Sequence, residues 1–245
     1  MKRIIGCLLV AALLVCGCSA FGPKEEKTAD QLAEEGRQEF SDGDYKSAIE
    51  AYQKLRGWYP FSKFAKEAEL KVADAHYRLE EYEQAIAAYE QFERLHPNDE
   101  KIPYVIYQIG RCYFDRMRGI DRDQTYTEKA LQEFQRLQNR FPESQYAEKA
   151  GKHIRRCLKT LAGHEFYVGE FYFKQKHYKA ALNRFLTVVN NYPSEFTLLH
   201  HKANKYIERC RNELEDAPAE KSEATSPVTA PPRKHSPVPS PPISR

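Results

Sequence analysis

The feature that most constrains the fold of this 245-residue chain is a segment that occurs four times. Each copy has Ala next to Ile or Leu, then an aromatic residue and a bulky apolar residue at intervals of three, and ends at a proline. These spacings put the apolar side chains on one face of a helix. Proline cannot continue a helix, so each copy ends in a turn. The copies are Ala48–Pro60, Ala85–Pro97, Ala130–Pro142 and Ala181–Pro193.

Other helical stretches separate the copies, so the sequence predicts pairs of antiparallel helices. Gly43 is suited to end one helix and Asp44 to cap the next. Recurring helix pairs are typical of the tetratricopeptide class, whose ideal period is about 34 residues. The proline spacings of 37, 45 and 51 residues predict longer helices or loops in later units. The additional helices are predicted over Thr28–Ser41, Ser62–Leu79, Pro103–Arg118, Ser144–Gln175 and Glu195–Leu214.

We therefore expect an all-α fold, a tetratricopeptide-like superhelix of antiparallel helix pairs with about nine helices. Four full units and the start of a fifth would occupy residues 29–215. Such units stack because none can bury its apolar face alone, and the first helix of each pair lines the concave surface. The stretch Ser144–Gln175 predicts one helix of about 45 Å, which Gly163 could bend. A fold of this kind favours docking over catalysis.

The N-terminal residues 1–17 are typical of an export signal. Lys2 and Arg3 precede an apolar run that is too short to span a bilayer, for which about 20 residues are needed. Gly17-Cys18 resembles a bacterial lipobox, and Cys18 fits that pattern better than Cys16. We expect a lipid anchor of several acyl chains on Cys18, followed by a tether over residues 18–28. The alternative is an ordinary cleaved signal that happens to contain cysteines.

The remaining cysteines and the C-terminal residues complete the domain prediction. Cys112, Cys157 and Cys210 lie at apolar positions of predicted helices, which favours three buried thiols over a disulfide and one free thiol. Residues 216–245 hold eight of the 14 prolines and few large apolar residues, so this tail is predicted to be disordered. The net charge of +3, without a basic stripe, argues against a nucleic-acid partner.

The sequence carries no recognisable catalytic motif. It has no Gly-rich phosphate loop, no Gly-x-Ser-x-Gly elbow and no Cys-x-x-Cys. His200 and His201 are adjacent, so on a helix they point about 100° apart and do not form a metal-binding pair. We expect no enzyme activity, no metal and no cofactor. An enzyme anchored through the repeats would need a second domain, and the signal, repeats and tail leave no residues for one.

The loop Arg118–Ala130 differs from the other connections. Asp121, Arg122 and Asp123 alternate in charge and precede Thr125-x-x-Glu128, a capping-box pattern for the following helix. The segment is either a loop with a helix cap or an element that binds a partner.

Several segments occur in an order that is specific to one protein family. They are the lipobox, "YPFSKFAKEAELKVADAHYRLEEYEQAIAAYEQFERLHP", "YVIYQIGRCYF", the "DRDQ" loop and "RFPESQYAEKA". Together they resemble the BamD family, the tetratricopeptide lipoproteins of the outer-membrane β-barrel assembly machinery. The resemblance implies a lipid-anchored protein on the periplasmic face of the outer membrane. It also implies binding to the POTRA region of the barrel-forming assembly protein and to other assembly lipoproteins, and reception of unfolded outer-membrane proteins.

The resemblance also implies site residues. An Arg in the second helix of the fourth unit contacts the POTRA partner in the family, and "YKAALNRF" places Arg184 there. A guanidinium can pair with a carboxylate through two hydrogen bonds, which Lys cannot reproduce. The alternative is a solvated Arg on a helix face. The "DRDQ" loop residues Asp121, Arg122 and Asp123 are the other partner-binding candidates.

Contact with unfolded protein is expected in the groove formed by the first helices of the early units. The candidates there are Tyr77, Arg78, Tyr104 and Tyr107, although tyrosines at helical spacing are more often core residues than contact residues. The alternative function is a generic periplasmic repeat lipoprotein that serves as an adaptor in cell-wall or division complexes. Such proteins share the "YP-x-S-x-x-A" turn, whereas the "DRDQ" loop and Arg184 favour the assembly machinery.

Overall fold

The computed structural model describes residues 26–216, and these residues form nine helices and no strand. The predicted all-α fold is confirmed. The predicted signal, the lipidation site Cys18, most of the tether and the tail beyond Asp216 lie outside the described residues. The helices are α1 (Ala29–Asp42), α2 (Tyr45–Trp58), α3 (Ala65–Arg78), α4 (Tyr82–Leu95), α5 (Ile102–Phe114), α6 (Thr125–Arg140), α7 (Gln145–Lys174), α8 (Tyr178–Asn191) and α9 (Thr197–Glu215).

Each helix packs against the next one along the chain, as expected for stacked helix pairs. The four units are α1 with α2, α3 with α4, α5 with α6, and α7 with α8, and α9 packs on the last of them. First helices of neighbouring units also meet, because α1 contacts α3 and α5 contacts α7. The first helices therefore form a second line of contact along the stack.

The helix ends follow from local sequence. Thr28 caps α1 in a reciprocal capping box with Gln31. Gly43 ends α1 in the left-handed conformation, with φ of 84°, which glycine adopts without strain. The Asp44 side chain then accepts a hydrogen bond from the Ser47 backbone N–H and starts α2. The predicted roles of Gly43 and Asp44 are both confirmed.

The repeated apolar stripe forms the core of every unit, as predicted. Alanine at the first position lets the neighbouring helix approach, and the aromatic ring three positions after the Ile or Leu fills the space beside it. Among the sixteen stripe positions only Leu182 is partly exposed rather than buried. The four aromatic rings, all at 1% exposure or less, are Tyr52, Tyr89, Phe134 and Phe185.

Two local predictions are wrong. The capping box at Thr125 and Glu128 does not form, because Thr125 is already the first residue of α6 and Gln124 occupies the N-cap position without a side-chain cap bond. The helix predicted over Pro103–Arg118 ends at Phe114. The chain tightens there into turns in which Arg116 N–H donates to the Tyr113 carbonyl and Met117 N–H to the Phe114 carbonyl.

The long helix α7 is present as predicted and joins two cores. The part of α7 up to Leu161, including Cys157, packs with the second and third units. Its C-terminal half, including Phe166, packs with α8 and α9. The three cysteines in the described part of the chain are free and buried, which confirms that prediction.

Candidate functional site

Arg184 lies on α8 and forms an ion pair with α7. Its Nη1 donates to Oε2 of Glu165 at 2.9 Å. The Glu165 side chain is 10% exposed and that of Arg184 is 38% exposed. A buried carboxylate thus meets a half-buried guanidinium, which is more than a solvated Arg on a helix face. The other N–H groups of Arg184 have no hydrogen-bond partner within residues 26–216.

Tyr192 lies within electrostatic range of this pair. Burial raises the pKa of its phenol, and the charge of Glu165 adds to that shift while Arg184 opposes it. Glu128 at the start of α6 contributes in the same direction as Glu165. The phenol of Tyr192, in the turn after α8, is therefore held in its neutral form beside charged groups of α6, α7 and α8.

The loop between α5 and α6 is organised by Gln124. This side chain is 1% exposed, and its Nε2 donates to the carbonyls of Gly119 and Arg122 at 2.9 Å each. Its Oε1 accepts a hydrogen bond from the Thr127 hydroxyl at 2.8 Å. The buried amide of Gln124 thus provides hydrogen-bond partners for two backbone carbonyls of the loop. The charged side chains of Asp121 and Arg122, which precede it, lie at the surface.

The three charged loop residues have different surroundings. The side chains of Asp121 and Arg122 are 52% and 69% exposed and form an ion pair of 3.4 Å. Asp123 accepts a hydrogen bond from the Thr125 N–H and so fixes the entry into α6. Asp121 and Arg122 are thus exposed at the loop surface, whereas Asp123 supports the loop.

The loop docks on α7 next to the residue that pairs with Arg184. A Cβ on Gly163 would lie 3.0 Å from Cγ2 of Ile120, so the glycine makes room for the loop. Nδ1 of His164 lies 2.6 Å from the Ile120 carbonyl oxygen and donates to it. Glu165, the next residue, holds Arg184. Two predicted partner-binding elements that are far apart in sequence are thus brought to three consecutive residues of α7.

The predicted groove residues behave differently from one another. Tyr77 donates its hydroxyl proton to Asp115 at 2.5 Å and accepts a hydrogen bond from Nη2 of Arg111 at 2.8 Å. Burial, followed by the Asp115 hydrogen bond, raises the pKa of this phenol. Arg78, the next residue, is exposed and has no ion pair within the described residues.

Tyr104 and Tyr107 both serve contacts between units. The Tyr104 hydroxyl donates to Oδ1 of Asp74 at 2.7 Å. The Tyr107 hydroxyl lies 3.1 Å from Nε2 of His153 on α7. Both rings also pack against Tyr146. The hydroxyls of the three predicted groove tyrosines are therefore engaged within the protein, and Arg78 is the exposed member of the set.

Three buried polar residues were not predicted from the sequence. Glu165 lies between Ala162 and Gly169 in the apolar stripe of α7, and Asp74 interrupts the buried run of α3. A carboxylate at an apolar stripe position is the signal that could have revealed them, since a buried charge needs a partner. Gln124 has no comparable signal, because its role depends on the path of the loop.

The described residues contain no group of histidine, cysteine and acidic side chains that could hold a metal ion. Within the same residues, no helix has the length and apolar character to cross a membrane. Burial raises the pKa of the thiols of Cys112 and Cys157 to about 12, so neither is a nucleophile near neutral pH.

Known proteins resemble this chain over most of its length. Residues 25–222 match a family model described as "YfiO: Outer membrane lipoprotein". A relative from Neisseria gonorrhoeae, named outer membrane protein assembly factor BamD, is 30% identical over 78% of this chain and 78% of its own length. One of the same name from Caulobacter vibrioides is 30% identical over 77% of this chain and 63% of its own length. Among solved structures, the "TPR2AB-domain:pHSP90-complex of yeast Sti1" matches with a TM-score of 0.43 and 17% identity, over 76% of this chain and 70% of that chain.

Proposed function

This chain belongs to the YfiO family of outer membrane lipoproteins, and from that premise we propose that it is a non-catalytic adaptor of the outer-membrane β-barrel assembly machinery. The observation that carries the proposal is the extent of the match. Residues 25–222 include all nine described helices, so the family model matches the whole repeat domain. A stack of helix pairs offers partners a long surface instead of an enclosed reaction site.

The C-terminal units are the proposed docking site for the POTRA region of the barrel-forming assembly protein. Arg184 supports this role because its partly exposed guanidinium has N–H groups left over after its bond to Glu165. A partner carboxylate that joined the pair would be held by charge-assisted hydrogen bonds. Asp121 and Arg122 are exposed on the loop that docks on Gly163 and His164 of α7, and they are further candidate contacts for the POTRA region or another assembly lipoprotein.

The N-terminal units are the proposed receptor for segments of unfolded outer-membrane proteins. Arg78 is the predicted groove residue that is exposed, at the end of the first helix of the second unit. Tyr77, Tyr104 and Tyr107 shape the surface around the unit contacts through their internal hydrogen bonds. In this proposal the chain is lipidated at Cys18 and works at the periplasmic face of the outer membrane.

The docking proposal is tested with three variants of the ion pair. Arg184→Gln removes the guanidinium, Glu165→Gln removes only its internal partner, and the double variant restores a neutral hydrogen-bonded pair. Each full chain, purified in detergent, is titrated calorimetrically with the POTRA domains of the same bacterium's barrel assembly protein. We expect Arg184→Gln and the double variant to lose about 2–4 kcal/mol of binding free energy, and Glu165→Gln to bind like the native chain.

The double variant separates a binding role from a structural one. Loss of the pair in Arg184→Gln alone leaves the buried Glu165 carboxylate without its cation, which also lowers stability. If Arg184 acted only through the fold, the double variant would recover native binding, and that result would contradict the assignment. If the native chain itself did not bind the POTRA domains, the proposal of an assembly adaptor would give way to a cell-wall or division adaptor.

A further inference from the structure

The turn between α2 and α3 exposes two large aromatic side chains. Trp58, the last residue of α2, is 52% exposed, and Phe61 is fully exposed at 101%. Single exposed apolar residues are normal on protein surfaces. Two aromatic residues within one tight turn are different, because together they expose an apolar surface that no other part of residues 26–216 covers.

The other units show that the fold does not require these aromatics. The turns align at their prolines, and the residue just before each proline is partly buried in all four units. At the position of Trp58 the other turns have Leu95, Arg140 and Asn191. At the position of Phe61 they have Asn98, Glu143 and Ser194. A packing role would recur in each unit, so the first turn owes its aromatics to something outside the repeat.

The first residues that the structure describes lie at this same turn. The hydroxyl of Tyr59, between the two exposed positions, donates to the Lys27 carbonyl oxygen at 3.0 Å. Cys18 is only nine residues before Lys27. A chain of that length spans at most roughly 30 Å. The turn therefore cannot be far from the membrane if Cys18 carries the lipid.

We propose that the turn Trp58–Phe64 is a membrane-interface contact that, together with the lipid on Cys18, orients the repeat domain on the lipid surface. Tryptophan and other aromatic rings are favoured at the headgroup level, where one part of the ring system is apolar and another is wet. Lys63 is exposed in the same turn and can approach anionic headgroups. The inference rests on the lipid anchoring in the proposed function, but not on its POTRA docking.

The test uses Trp58 itself, which is the only tryptophan in the chain. The full lipidated chain is reconstituted into vesicles of phosphatidylethanolamine and phosphatidylglycerol, and flotation measures its anchoring. Tryptophan emission is recorded with brominated acyl chains in the lipid and, separately, with iodide in the water. We expect a shift of the emission to shorter wavelength, quenching by the brominated lipid and protection from iodide.

Two substitutions of exposed residues give a matched comparison. Phe61→Glu places a charge in the turn and should reduce the quenching by brominated lipid while flotation is retained. Leu198→Glu changes a residue that is 69% exposed near the start of α9, away from the turn, and should leave the quenching unchanged. Equal quenching in the native chain and Phe61→Glu would overturn the inference.

The outcomes distinguish this inference from the function on which it rests. A chain that floats, with Trp58 open to iodide, would keep the anchor and overturn the membrane contact. A chain that floats with Trp58 shielded from both quenchers would point to a protein occupant, such as a second copy, and would also overturn it. A chain that does not float would remove the anchor and the inference together, while the calorimetric binding to POTRA domains would be unaffected.

Discussion

Asp74 shows how one buried residue links neighbouring units. It lies on α3 and accepts hydrogen bonds at 2.7 Å from Tyr89 of its own unit and Tyr104 of the next. Gln108 donates in turn to the Tyr104 hydroxyl at 3.2 Å. Hydrogen bonds to a charged group are stronger than those between neutral groups, and a buried network of this kind favours one arrangement of its members. The contact between the second and third units is thereby specified.

His153, on α7, also links neighbouring units, because its ring packs against aromatic residues of the third unit. Its ring stacks on Phe134 with centroids 4.9 Å apart and meets Phe114 edge-on at 4.4 Å. Burial lowers the pKa of this imidazole, and the nearby Arg111 lowers it further while Asp115 opposes the change. The folded protein therefore favours the neutral ring.

This pKa shift predicts how stability depends on pH. In the unfolded chain the ring is protonated as the pH falls through about 6.5, whereas in the folded protein it resists until a lower pH. The stabilisation is complete above about pH 6.5 and is lost below it. We expect the melting temperature to fall less between about pH 7.5 and 5.5 in His153→Gln than in the native chain. Equal falls, measured by circular dichroism, would show that His153 does not contribute.

At the scale of the helix pair, a glycine–aromatic contact recurs. A Cβ on Gly36 would lie 2.6 Å from the Tyr52 ring, one on Gly110 would lie 2.6 Å from the Phe134 ring, and one on Gly169 would lie 2.7 Å from the Phe185 ring. These distances are shorter than a van der Waals contact, so in these three units glycine lets the aromatic side chain of the second helix lie close against the first helix. In the second unit, Ala73 stands before Tyr89 at the same interval as Gly36 before Tyr52.

The contact predicts the effect of adding one methyl group to the first helix. Gly110→Ala should lower the free energy of unfolding by about 1–3 kcal/mol, because the added carbon overpacks the buried Phe134 ring. Gly151→Ala is the matched control, since its Cβ would meet only Gln138 at 3.6 Å, an ordinary contact. It should be neutral or stabilise by up to about 1 kcal/mol, since Ala favours a helix over Gly. Urea unfolding of both variants makes the comparison, and equal stability would contradict the packing explanation.

Across the whole molecule, contacts join neighbours along the stack, and the core is divided into three clusters. One lies in the first unit with the start of α3, one in the middle, and one under α8 and α9. Arg78 belongs to the second unit and Arg184 to the fourth, and they share no partner. In a stack with nearest-neighbour contacts, sites this far apart are expected to act independently.

This separation predicts two distinct losses of binding. Arg78→Glu should weaken binding of a fluorescent segment of an unfolded outer-membrane protein by about fivefold, the scale of one exposed charge contact. It should leave POTRA binding unchanged, and Arg184→Gln should do the reverse. Arg94→Glu is the control, because Arg94 is likewise exposed in the last turn of a helix in the same unit. A loss in Arg94→Glu as large as that in Arg78→Glu, measured by anisotropy, would indicate a general charge effect.

The sequence by itself determined the helices, their pairing and the core. The stripe of Ala, Ile or Leu and an aromatic residue repeats at helical spacing, and local signals such as Thr28, Gly43 and Asp44 set helix ends through bonds to residues only a few positions away. Such features depend on neighbours along the chain, so they can be read from the order of residues. The buried state of the three thiols was predictable for the same reason.

Only the tertiary structure decided which polar residues meet. Glu165 pairs with Arg184. Gln124 donates hydrogen bonds to carbonyls of its own loop, whereas the cap expected at Thr125 does not form. Asp74 accepts hydrogen bonds from tyrosines of two helices. The path that a loop takes and the way two helices face each other fix these contacts, and neither leaves a periodic pattern in the sequence. The hydrogen bond from the Tyr59 hydroxyl to the Lys27 carbonyl oxygen likewise joins residues that are far apart in the sequence. A hydrogen bond between residues far apart in the chain exists only once packing has brought its two atoms within about 3 Å.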